Sequence, residues 1–223
     1  MAFIKEANQH VLRERFAELV TPVRLLVFTE GQGCQYCRET RQLVEELAEL
    51  SERIELEILD RAAEPERAQR YGVDKVPAVV LLADEAGEER DTGIRFFGIP
   101  AGYEFTTLVD DIVAVSRSEP RLAEATERWL KTLEQPVHMQ VFVTPTCPYC
   151  PRAVSLAHRM ALANPNVRAD MVEALEFPEL AERYQVYGVP RTVVNGEAAV
   201  EGALPEREFV EFLEQAIPAQ PAV

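Results

Sequence analysis

The sequence predicts an α/β protein made of two tandem units, each with a mixed central sheet flanked by helices. Three observations predict it. Two CxxC pairs, Cys34 with Cys37 and Cys147 with Cys150, start 113 residues apart. The sequence around them repeats at that offset: PERAQRYGVDKVP (65–77) matches PELAERYQVYGVP (178–190), and LVFTEGQGCQYC (26–37) matches QVFVTPTCPYC (140–150) with one residue of slack. Within each copy, short β-rich runs alternate with stretches of helical periodicity.

The elements follow in order. An amphipathic helix is expected to lead each copy, at about 6–20 and 120–134. VRLLVF (23–28) and VHMQVFV (137–143) read as strands ending just before each CxxC. RETRQLVEELAEL and PRAVSLAHRMALA have apolar positions at helical spacing and good helix formers. IELEILD and VRADMVEA read as strands, PERAQRYGV and FPELAERYQV as helices, and PAVVLLA and PRTVVNG as strands. Asn195-Gly196 signals a tight hairpin in the second copy, whereas ADEAGEERDTG in the first reads as a longer polar turn. FFGIPAGYEF (96–105) resembles VEGALPEREF (200–209), and each copy closes with a helix, about 101–116 and 205–217. The expected division is 1–118, 119–217 and a flexible Pro-containing tail, 218–223.

Composition narrows the function. The chain has 223 residues, and its 23 basic against 38 acidic residues give a net charge of −15. That charge repels phosphate backbones and anionic headgroups, so neither nucleic acid nor membrane is an expected partner. The start, MAFIKEANQHVLRERF, is amphipathic and charged rather than continuously apolar, and no run approaches the length of a membrane-spanning helix. A cytoplasmic protein is expected.

A CxxC on a strand-to-helix turn places its first cysteine near the helix N-cap, where free N–H groups and the helix dipole favour thiolate. The second cysteine is expected one turn into the helix. One sulfur attacks, a mixed disulfide forms, and the other sulfur releases the product. Pro148 fits a first helical turn, whereas Pro151 is expected one turn in, where it removes a hydrogen bond. A four-cysteine zinc site is disfavoured, because the pairs lie far apart, each inside a complete unit and each heading a long helix. No metal is expected, and a three-residue staple constrains little chain entropy.

Of the histidines, His158 lies 11 residues beyond Cys147, too far along a helix to serve as its base; His10 and His138 read as surface or packing residues. Glu57 and Asp170 occupy matching strand positions and are candidate proton relays, or simply solvated carboxylates. Arg38 and Arg152 follow the second cysteines. Pro77 and Pro190 each stand 43 residues after their first cysteine and open a strand.

As an ordered set, CQYC, TPTCPYCPRAV, DMVEALEFPE and the duplicated Val-Pro resemble the protein disulfide oxidoreductases of thermophilic archaea and bacteria, with tandem thioredoxin folds and a glutaredoxin-like CPYC. The resemblance implies attacking cysteines at Cys34 and Cys147, resolving cysteines at Cys37 and Cys150, and cis prolines at Pro77 and Pro190. It implies that Val76 and Val189 pair with substrate backbone. It also implies protein disulfide or dithiol substrates and recharging by a thioredoxin reductase-like flavoenzyme that draws on NADPH. No cofactor is expected on this chain, which shows no nucleotide-binding glycine motif. Phe28 and Val141 stand where thioredoxin carries a buried Asp, so proton handling must use another group. Gly202 stands alone where a glutaredoxin has paired glycines.

The expected function is therefore reduction, formation or isomerisation of protein disulfides, with the Cys147–Cys150 site the more active. A dedicated thiol donor to a peroxidase, and a non-catalytic chaperone-like binding module, are the rivals.

Overall fold

The computed structural model describes residues 3–31 and 33–217; the expected tail, 218–223, lies outside them. The first copy runs α1 (Glu6–Phe16), β1 (Val23–Thr29), α2 (Cys37–Ala48), β2 (Ile54–Asp60), α3 (Pro65–Arg70), β3 (Ala78–Glu85), β4 (Glu88–Phe97) and α4 (Glu104–Arg117). The second repeats that order as α5 (Glu124–Leu130), β5 (Val137–Val143), α6 (Cys150–Ala163), β6 (Val167–Glu173), α7 (Pro178–Arg183), β7 (Arg191–Val194), β8 (Ala198–Glu201) and α8 (Glu206–Ala216).

Both copies share one eight-stranded sheet, ordered β2-β1-β3-β4-β6-β5-β7-β8. The junction is a parallel β4–β6 pair with Ile94 opposite Ala169 and Phe97 opposite Val172. A division at 118/119 falls between α4 and α5, but the sheet continues across it. Because β1 and β4 both run antiparallel to β3, the strands β1, β2, β4, β5 and β6 all point one way. Both CxxC turns therefore follow the C-terminal ends of strands that point the same way.

Strand alternation sorts the core into two layers. Val23, Leu25 and Val27 face a layer built with α1, α2, α4, α6 and α8, whereas Leu26 and Phe28 face the layer under α3 and α7. Polar groups are buried on both sides of the junction. Buried Arg95 on β4 donates to the Tyr71 carbonyl at 2.9 Å and grips both Asp91 oxygens at 2.8 and 2.6 Å. In register beside it, buried Asp170 accepts two bonds from Arg168 at 2.8 Å and meets His138 Nε2 at 2.6 Å.

Several expectations need correction. The leading helices are shorter than 6–20 and 120–134: Thr21 precedes a proline, which disfavours helix, and Ser118 and Arg121 adopt φ of 51°. The polar stretch 83–93 is not a long turn. Its strands extend to Glu85 and from Glu88, closed by Ala86 and Gly87 at φ 57° and 90°, so the charged residues project from an antiparallel ribbon beyond the core. The active-site helices begin at the second cysteines rather than a turn earlier. Pro151 thus sits in the first turn of α6, where a missing N–H leaves nothing unpaired that would otherwise be bonded.

Candidate functional site

Each CxxC closes a disulfide, with Cα atoms 5.5 Å apart in both. In the second copy Cys147 Sγ accepts the Cys150 N–H at 3.1 Å and lies 3.7 Å from the Val189 carbonyl oxygen. The helix start thus offers Cys147 sulfur a backbone donor, and the Val-Pro turn stands against it. Cys150 is fully buried and Cys147 is 7% exposed. In the first copy Cys34 is half-buried and Cys37 buried. The Val76–Pro77 and Val189–Pro190 bonds are cis, and each proline is followed directly by its strand, β3 or β7.

The two rims differ. Tyr149, Leu175 and Tyr187 are 63%, 72% and 90% exposed around the second site, an unusual concentration of large apolar side chains in water. Thr144, Leu175, Pro178, Tyr187 and Val189 line a groove of about 500 Å³ there. At the matching positions the first copy has Ala62 and Asp74 in place of Leu175 and Tyr187.

Neither strand carboxylate is brought to a sulfur by any bond among the described residues. Glu57 sits on the sheet-edge strand β2 and bonds Arg67 at 2.8 Å, which holds its carboxyl below the ordinary range. Burial alone would raise Asp170, but His138 and Arg168 outweigh it and leave its carboxyl well below that range. A group held ionised in this way is a poor proton acceptor. Arg38 is exposed and bonds its neighbour Glu39, and Arg152 is exposed on α6.

Sequence reasoning missed a different acid. Glu104, at the start of α4, is 1% exposed, and burial pushes its carboxyl up to about 7. Its Oε2 accepts the Thr107 hydroxyl at 2.8 Å, while Oε1 has no partner among the described residues. The helix α4 packs on α6, where Asp111 meets the buried His158 Nδ1 at 2.6 Å. The helices follow β4 and β5, parallel strands with β6 between them, so they run the same way. Two turns back from the Asp111–His158 contact, Glu104 comes level with the start of α6, where Cys150 and Pro151 stand. A signal existed: Glu104, Thr107 and Asp111 form a polar stripe at helical spacing along the helix.

The junction adds closeness. Tyr103 N–H donates to the Pro145 carbonyl at 3.2 Å, and a Cβ on Gly102, at φ 62°, would fall 2.2 Å from that oxygen. Only glycine lets the loop after β4 approach the CPYC turn so closely.

Comparisons with known proteins agree with this geometry. The family model described as a thioredoxin domain matches residues 23–88 and 137–215. A protein disulfide oxidoreductase from Aeropyrum pernix is 33% identical with a TM-score of 0.88, over 97% of this chain and 94% of that one. The NTD_N/C domain of the alkylhydroperoxide reductase AhpF from Enterococcus faecalis is 32% identical with a TM-score of 0.85, over 94% of this chain and 99% of that one. A Bacillus subtilis NADH dehydrogenase is 27% identical over 93% of this chain but only 37% of its own length. The chain spans about a third of the curated relatives it matches.

Proposed function

From a chain that belongs to the thioredoxin-domain family, we propose a thiol–disulfide oxidoreductase that acts on protein disulfides through two dithiol sites. One observation carries the reading: each CxxC heads a helix at the C-terminal end of a strand, and in the second copy the Val189 carbonyl lies against Cys147 sulfur. In the reducing direction, Cys147 thiolate attacks a substrate disulfide and expels one substrate thiolate. Cys150 then attacks the mixed disulfide, releasing the second and closing the Cys147–Cys150 bond. Glu104, level with Cys150 and with a carboxyl near neutrality, takes the proton that Cys150 must lose. Cys34 and Cys37 act in the same roles at the first site, with Val76 and Val189 pairing with substrate backbone beside Pro77 and Pro190.

No helix among the described residues is long and apolar enough to cross a membrane, and a reducing compartment such as the cytoplasm suits this chemistry. A reductase drawing on a nicotinamide cofactor fits as the partner that resets the disulfides, a reading supported by the NADH dehydrogenase likeness. The test is insulin reduction by the intact chain and by a variant lacking all four thiols. Loss in the variant supports the reading, and refolding activity kept without thiols would install a binding module instead. The likeness to an alkylhydroperoxide reductase domain favours a second reading, electron donation to a peroxidase. Turnover of a peroxiredoxin far faster than of insulin would establish it.

A further inference from the structure

Two grooves share one lining residue, Pro178, the first residue of α7. The apolar groove is lined also by Val189 and Tyr187 of the second site. The other, of about 550 Å³, is lined also by Asp74 and Lys75, immediately before Val76 and Pro77 of the first site. Linked through Pro178, their linings trace a track from one Val-Pro turn to the other. The second groove sets Asp74 and Glu179 beside Lys75 and Arg183, with Glu176 bonded to the Ile99 N–H at 2.6 Å. Lys75 is already engaged by Asp74 at 2.6 Å and by the Phe97 ring at 3.8 Å.

Resting on the proposed thiol chemistry, we infer that this track holds one extended polypeptide across both sites, so that the preferred substrate carries two reactive cysteines in a neutral-to-basic segment. The chain's net charge of −15 selects against acidic segments. The span follows from the sheet. Corresponding elements of the two copies lie four strands apart in the order β1-β3-β4-β6-β5, which at about 4.8 Å per strand gives ~19 Å. An extended chain covers that in about six residues, and sheet twist lengthens the path somewhat. Cysteines adjacent or a few residues apart reach one site only. Cysteines about ten residues apart reach both, and the second reaction then proceeds at an effective concentration in the millimolar range.

The experiment uses the full chain with Cys37→Ser and Cys150→Ser, reduced, so that Cys34 and Cys147 are trapped as mixed disulfides. Synthetic peptides carry two cysteines, each capped as a disulfide with thionitrobenzoate, separated by about two or about ten residues. Each attack forms one protein–peptide disulfide, breaks one peptide–cap disulfide and expels one coloured thiolate, with no added oxidant. The long basic peptide is expected to give one peptide bridged to both cysteines, with the second thiolate released ~100-fold faster than the first at micromolar peptide. The short peptide should give two peptides per protein. Leu175→Asp, at an exposed position, should slow the bridging step severalfold, as should glutamates in the spacer.

Two peptides per protein from the long peptide would overturn the shared track, and bridging unaffected by Leu175→Asp would overturn its path. A peptide with a single capped cysteine separates this from the underlying chemistry. If neither site captures it, the thiol-exchange reading itself fails.

Discussion

The two active-site helices are copies of one element set in different surroundings. Helix α2 lies over β1 and β2, the latter a sheet edge, and its copy carries Ala62 and Asp74 where the second has Leu175 and Tyr187. Helix α6 lies over the interior strands β4, β5 and β6 and packs against α4, which belongs to the other copy. A translation along the sheet, rather than a two-fold, produces this inequality: the second copy has a neighbour where the first has solvent. Glu57 and Asp170 show it at one matched position. Glu57 stands half exposed on the free edge with Arg67, while Asp170 is fully buried against β4 between Arg168 and His138. Duplication supplied equal parts, and position in the sheet made them unequal.

The largest expected contrast is catalytic. In insulin reduction, Cys147→Ser should lower the rate ~10-fold or more and Cys34→Ser only about twofold. Equal losses, or a greater loss from Cys34→Ser, would remove the asymmetry. Next comes Glu104→Gln, read at the second site in a Cys34→Ser background. A rate loss on the order of 10- to 100-fold is expected, with the inflection near pH 7 gone from the pH–rate profile and partly restored by Glu104→Asp. An unchanged profile would make Glu104 a structural acid only.

Much of this was legible in the sequence, because periodicity and repeat spacing report local structure. The strand VHMQVFV and the matched Val-Pro turns stand where the residues put them. The β4–β6 pairing was not legible, since an apolar strand does not name its neighbour, and the choice between proton relay and solvated carboxylate at Asp170 depended on that neighbour. Glu104 was hidden for the same reason: the helix that carries it packs on α6 of the other copy. Ala86-Gly87 lacks the Asn-Gly signature of a tight hairpin, although its backbone takes the same left-handed turn.

Stability should follow position as well. Asp170→Asn leaves Arg168 and His138 around a lost charge and is expected to cost about 3 kcal/mol in urea unfolding. Glu57→Gln, at the partly exposed edge, should cost under about 1 kcal/mol.

The smallest effect is in pH dependence, where two carboxyls pull in opposite directions. The carboxyl of Asp170 lies below its ordinary 3.8 in the folded chain, so its stabilisation is present above that value and is lost as pH falls below it. Glu104 holds its proton to about 7 against an ordinary 4.5, so its contribution is present below 4.5 and is lost as pH rises to 7. Urea midpoints measured across pH 3 to 8 should show both limbs, and Glu104→Gln should flatten the upper one. An upper limb unchanged in that variant would assign it to Glu176, whose carboxyl burial also pushes up to about 7.

The side-by-side junction has one more consequence. Because β8 is the counterpart of β4 and β2 the counterpart of β6, the contact that fuses the copies is head-to-tail and does not close on itself. Repeated between molecules, it would place β8 of one chain on β2 of the next and grow a fibre. The terminal strands oppose that growth. β8 has four residues where β4 has ten, and β2 presents Glu55 and Glu57, already engaged by Arg24 and Arg67, to any approaching strand.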